Sequence, residues 1–148
     1  MLAQLLHLSR VNVHAEPPDK DAAIRMVATL LVKPDQSANE DSVFDVLAER
    51  ERLASTGVGS GVAIPHGRFD GVEELRAAVA VCKSGVDFDA VDGLPVHILV
   101  GIVGPRSMPQ HHLAALAGVS RALRDAEVRA ALLAAKDDAA AYGILTES

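Results

Sequence analysis

Between Pro95 and Val103 the chain reads Pro-Val-His-Ile-Leu-Val-Gly-Ile-Val, a near-continuous β-branched run in which His97 is the one polar side chain. It lies between the turn signal Asp92-Gly93 and the terminator Gly104-Pro105. A short, apolar, β-branched run with such ends predicts a central strand buried on both faces. A strand of that kind needs a covering layer on each side, so the flanking sequence must supply amphipathic helices.

It does. Asp19 is placed to cap a helix from about Lys20 to Val32, with Ile24, Val27, Ala28 and Leu31 as its apolar stripe and Pro34 as its stop. Asp41 or Ser42 caps a second helix that reaches about Leu53. Ser107 and Pro109 open a third, with Leu113, Leu116, Ala117, Ser120 and Leu123 at helical spacing. Arg124-Asp125 breaks the pattern before a helix from Glu127 to about Ala135, and Asp137 to Leu145 forms a last short one. Leu2 to Leu8 is an apolar lead-in of about one helical turn. Val11 to His14 alternates as a short strand, stopped by Pro17-Pro18. Leu75 to Cys82 is a second strand, leaving through Lys83-Ser84-Gly85 and followed by the extended piece Val86-Asp87-Phe88. A strand that returns after such short pieces pairs antiparallel. The fold class is therefore α/β, a three-layer sandwich with a mixed sheet and helices on both faces.

The 148 residues suffice for one domain, expected to span 1–148, and 49% of them are hydrophobic while 3% are aromatic. Alanine-rich helices packed closely on a sheet fit that balance. A net charge of −6 argues against a general nucleic-acid binder, which requires basic patches. Cys82 is the single cysteine, so no internal disulfide forms, and the chain fits a reducing cytoplasm. The N-terminal residues lack the basic start of a signal peptide, and no stretch is long and apolar enough for membrane insertion.

The chemistry is expected around Ser55–Gly67, Ser-Thr-Gly-Val-Gly-Ser-Gly-Val-Ala-Ile-Pro-His-Gly. Gly57, Gly59 and Gly61 allow close backbone approach, and their amides can converge on an anion. Val62 to Ile64 is a short buried strand. Pro65 fixes its own φ and holds Ile64 extended, so His66 is presented at the end of a rigid segment with Gly67 leaving one side uncrowded. Upstream, Val43, Val46, Leu47 and Arg50 fall at i, i+3, i+4 and i+7, which places Arg50 on the apolar face of its helix. Its guanidinium either snorkels or pairs with a nearby carboxylate, or it faces an anion site beside the glycines. His111 and His112 fall in the first turn of the helix after Pro109, where free N–H groups and the dipole attract anions and keep a histidine neutral. The two rings point about 100° apart, so one of them faces the site. His112 has the better claim, with Ala115, Leu116 and Val119 at i+3, i+4 and i+7. His97 reads as a satisfied core residue.

Other chemistries find less support. Val62 stands where a dinucleotide fingerprint needs glycine, and no Gly-Lys-Ser/Thr follows. No histidine pair has i, i+4 spacing and there is no Cys-x-x-Cys, so no metal site is expected. Ser60 and Ser84 lack the Gly-x-Ser-x-Gly elbow of a hydrolase.

The stretch Arg50 to Gly67, Arg-Glu-Arg-Leu-Ala-Ser-Thr-Gly-Val-Gly-Ser-Gly-Val-Ala-Ile-Pro-His-Gly, resembles the phosphorylation-site signature of the mannitol/fructose-type IIA domain of the bacterial phosphoenolpyruvate-dependent phosphotransferase system. His112-Leu113-Ala114-Ala115-Leu116-Ala117 resembles that family's second motif. The resemblance implies a mixed sheet of about five strands. It implies that His66 accepts a phosphoryl group from a histidine-containing phosphocarrier protein, with His112 as the second active-site histidine and Arg50 beside the phosphate. Gly57, Gly59, Ser60, Gly61 and Gly67 are the expected phosphate-binding residues, Ser60 standing where many members have Asn. N–P transfer between imidazoles is nearly balanced, so no cofactor is implied. The phosphoryl group would go to a IIB domain, or its presence would control a regulated protein. The lack of a IIB or membrane segment favours the second, regulatory use. A module of another class, sensing an anion or a partner with His66 as a ligand contact, is the alternative.

Overall fold

The computed structural model describes residues 2–36 and 38–147. In chain order the elements are helix α1 (Leu2–Leu5), strand β1 (Leu6–Asn12), helices α2 (Lys20–Leu31) and α3 (Glu40–Leu53), strands β2 (Gly57–Gly59), β3 (Val62–Ala63), β4 (His66–Arg68), β5 (Arg76–Val86) and β6 (Val96–Gly104), and helices α4 (Pro109–Arg124), α5 (Ala126–Ala134) and α6 (Asp138–Thr146). The sheet order is β1-β5-β6-β3-β2, with β4 also paired to β6. The β1–β5, β3–β6 and β4–β6 pairs are parallel, and β5–β6 and β2–β3 are antiparallel, so the sheet is mixed.

The run that set the fold expectation is β6, paired on both edges and buried along almost its whole length. Alternation divides the core in two. Ala77, Val79 and Val81 of β5 join Ile98, Val100 and Ile102 of β6 beneath α4, α5 and α6. Ala78, Ala80 and Cys82 join Leu99 and Val103 beneath α2 and α3. Gly101 lies on the second face, where an added Cβ would stand 2.1 Å from Val27 Cγ1, so α2 packs directly onto the backbone of β6. That contact explains the glycine in an otherwise branched strand.

Several boundaries differ from expectation. The first strand is Leu6–Asn12, not Val11–His14; it is an edge strand, where one covered flank leaves a weak alternation. Lys83-Ser84-Gly85 does not leave the sheet but lies within β5, because Val86 still pairs with Val96 across an irregularity in register. Asn39, not Asp41 or Ser42, caps α3, its side chain accepting from the Ser42 amide. Asp19 caps α2 as expected. In α4 the buried residues are His112, Ala115, Val119 and Leu123, whereas Leu113 is 68% exposed, so the stripe expected from Leu113 is rotated by one residue. His97 is half-buried with Nδ1 hydrogen-bonded to the Cys82 carbonyl. Among the described residues no helix is long and apolar enough to cross a membrane.

Candidate functional site

The C-terminal part of α3, strand β4 and the start of α4 enclose an open cleft of about 1060 Å³. His66 opens β4, directly after the proline that interrupts the line of β3. Two bonds hold this break against its neighbours: the Ile102 amide donates to the Pro65 carbonyl at 3.0 Å, and the Ile64 amide to the Thr56 carbonyl at 2.9 Å. The His66 ring then turns back on its own segment, with Nδ1 2.7 Å from the Ile64 carbonyl. A carbonyl can only accept, so Nδ1 carries the proton and Nε2 keeps its lone pair. Burial, and secondarily the positive charge of Arg50, hold this ring below its ordinary pKa, against the opposing pull of the Ile64 bond and Glu51.

His112 faces it from the first turns of α4, the two ring centroids 5.8 Å apart and inclined at 51°. His112 is 5% exposed, and its Nδ1 is buried without a hydrogen-bond partner, so Nε2 is the nitrogen left for the cleft. Burial, helped by His66 and Arg68, lowers its pKa to about 4. At neutral pH both rings are uncharged, and a neutral His112 has one N–H to donate.

Arg50 lines the cleft, half-buried, with Nη1 2.9 Å from the Ala54 carbonyl at the end of its own helix. It is therefore turned toward the histidines, but not on the inward face expected for it. That face belongs to Val43, Leu47 and Glu51, spaced by four. Val46 and Arg50 occupy the adjacent strip, which borders the cleft. Arg68 and Arg106 also line it. Neither was foreseen, although strand alternation puts Arg68 on the same side of β4 as His66 and could have found it.

The glycines divide. Gly67 borders the cleft. Gly57, Gly59, Ser60 and Gly61 do not: they form the tight hairpin of β2 and β3, with Ser60 (φ 58°) and Gly61 (φ 77°) as its two-residue loop. The Ser60 amide is bonded to Asp92, and Gly59 and Ser60 border a separate cavity of about 230 Å³ beside Arg124 and Arg129. The expected cradle of four glycine-stretch residues around His66 is thus corrected to a turn. Its physical cause is the Ser-Gly pair, whose positive φ angles reverse the chain before it reaches Pro65. Among the described residues no group of three or more His, Cys, Asp or Glu side chains is placed to hold a metal ion.

Two neutral histidines, one with a free nucleophilic nitrogen, beside arginines in an open cleft suit the handling of a phosphoryl group. Residues 4–148 match the family described as phosphoenolpyruvate-dependent sugar phosphotransferase system, EIIA 2. The chain belongs to that family. It is 34% identical over 146 residues to a fructose-specific EIIA component of the phosphotransferase system from Haloferax volcanii, covering 99% of this chain and 95% of the relative. A nitrogen regulatory protein of Pseudomonas aeruginosa is also 34% identical, with the same coverage of both chains. The crystal structure of nitrogen regulatory protein IIA-Ntr from Neisseria meningitidis superposes with a TM-score of 0.90 at 31% identity, over 97% of this chain and 98% of that one. The α/β sandwich is thus that of a IIA protein, a component of a phosphoryl-transferring system.

Proposed function

We propose that His66 Nε2 is the atom that carries the phosphoryl group, through a phosphohistidine intermediate. The observation that carries the reading is the Nδ1 bond to the Ile64 carbonyl, which leaves Nε2 unprotonated beside His112. The Nε2 lone pair attacks the phosphorus of a phosphohistidine on a histidine-containing phosphocarrier protein. The N–P bond to the donor breaks in line, and its electron pair returns to the donor imidazole. The His112 N–H and the Arg50 guanidinium stabilise the phosphoryl oxygens, with Gly67, which has no side chain, leaving the approach to the ring uncrowded. The chain, acting as one IIA unit over residues 1–148, then passes the group to a IIB domain or holds it as a regulatory state in the cytoplasm. A relative named as a fructose-specific EIIA component and one named as a nitrogen regulatory protein stand at the same identity, so both uses lie within the reading.

The test is incubation with labelled phosphoenolpyruvate, enzyme I and the phosphocarrier protein. One acid-labile label per chain is expected, lost in His66→Ala and slowed but retained in His112→Ala. No label on the intact protein contradicts the assignment.

A further inference from the structure

The buried charge of α3 lies one residue beyond Arg50 and outside the cleft. Glu51 is 7% exposed, and burying a carboxylate is costly unless every lone pair finds a donor. Here it does. The Thr56 amide approaches both carboxylate oxygens at 3.1 and 3.0 Å, the Thr56 hydroxyl donates at 2.5 Å, and Lys20 Nζ lies 2.9 Å away. Thr56 is itself 4% exposed. Its carbonyl accepts the Ile64 amide, and the Ile64 carbonyl accepts from His66 Nδ1. Three consecutive links therefore run from a helix to the reacting ring, and the last of them decides which nitrogen is free.

We propose that Glu51 is a positioning residue for His66. By holding Thr56 through two donors it fixes the height of the Ile64 carbonyl, and so keeps the proton on Nδ1 and the lone pair on Nε2. Lys20, at the first turn of α2, holds the carboxylate from its other side, so the position of Ile64 is referred to two helices instead of to its own loop. When Nε2 takes a phosphoryl group the ring becomes a phosphoimidazolium. The Ile64 carbonyl is then the acceptor for its remaining N–H, and the Glu51 charge lies on the favourable side. Strand β4 alone does not set the tautomer, because its ladder to β6 engages backbone groups only.

This inference rests on the phosphoryl-transfer reading for its consequence, but not for its geometry. Its test therefore reads the tautomer separately from the rate. Long-range nitrogen–proton NMR of the unphosphorylated protein should show His66 as the Nδ1–H tautomer. In Glu51→Ala the Nε2–H tautomer should appear, and labelling of His66 should slow by about 10- to 100-fold, by analogy with the loss when the outer-shell partner that orients a metal-bound histidine is removed. Thr56→Val, which removes the hydroxyl tie at nearly constant volume, should shift the tautomer in the same direction by less, and Thr56→Ser should restore it. Thr56→Val decides the matter if Glu51→Ala does not fold. Wild-type tautomer and rate in Thr56→Val and in a folded Glu51→Ala overturn the proposal. So does a slower rate with an unchanged tautomer, which is the mark of a merely structural tie. If the wild-type protein takes no label, the phosphoryl-transfer reading fails while the tautomer comparison still judges Glu51.

Discussion

Replacing Gly67 by alanine should destabilise the protein and disturb the site at once. Gly67 follows His66 in β4 and faces α3, where an added Cβ would stand 2.2 Å from Val46 Cγ1 and 3.4 Å from the Val46 carbonyl oxygen. Relief requires a movement of more than an ångström, since ordinary contact begins near 3.4 Å. Valine in a helix has one strongly preferred rotamer and cannot swing aside cheaply. Overpacking of this depth costs toward the upper end of about 1–3 kcal/mol. The smaller entropy of the unfolded alanine chain offsets roughly 0.4–1 kcal/mol of that, so the net loss is about 2 kcal/mol. With an unfolding entropy of about 2.1 cal/mol/K per residue, a chain of this length changes Tm by about 3 °C per kcal/mol. The expected drop is then roughly 6 °C. Thermal unfolding followed by circular dichroism, on Gly67→Ala, Val46→Ala and the double variant, gives the full cycle. Because Val46→Ala removes the colliding group, the double variant should be more stable than the sum of the singles by at least about 1 kcal/mol. A Gly67→Ala protein as stable as wild type, or an additive cycle, would refute the close approach of α3 to β4.

Two further outcomes follow from the same structure. His112 takes its proton near pH 6.5 when unfolded but only near 4 when folded, so between those values the unfolded state binds more protons. Its contribution to stability is complete above about pH 6.5 and lost as the pH falls toward 4; denaturant midpoints at pH 7 and pH 5 should converge in His112→Gln relative to wild type. Gly143 lies within α6 with nothing inside 4 Å of an added Cβ, so Gly143→Ala should raise stability by up to about 1 kcal/mol, or roughly 3 °C in Tm.

The fold was legible where one force dominates. The continuous β-branched run could only be a strand covered on both sides, and β6 is that strand. His66 was legible for a related reason: a proline before it and a glycine after it restrict the backbone whatever the surroundings. The misreadings arise where two residues compete for one role. In α3, the spacing of Val43, Val46, Leu47 and Arg50 assigned all four to the inward face, and Val43 and Leu47 are there. The buried strip instead ends in Glu51, whose cost is met by Thr56 just beyond the helix end and by Lys20 on another helix, partners that no helical periodicity reveals. In α4, Leu113 looked like the start of the core. It is exposed because a less apolar residue, His112, takes the inward place opposite His66. The glycine stretch misled by composition: three glycines suggested a cradle, while the Ser60-Gly61 pair makes a hairpin loop. Side-chain satisfaction and chain reversal are tertiary facts, and a linear pattern carries them only as alternatives.

The most direct test of the account is to identify which nitrogen of which histidine bears the phosphoryl group. The protein, uniformly labelled with nitrogen-15 and phosphorylated by the phosphoenolpyruvate chain, should show a phosphorus–nitrogen coupling to His66 Nε2, with Nδ1 still protonated. A coupling to His66 Nδ1, or to His112, would contradict the account, because it would mean that the Ile64 carbonyl does not hold the ring in its reactive form.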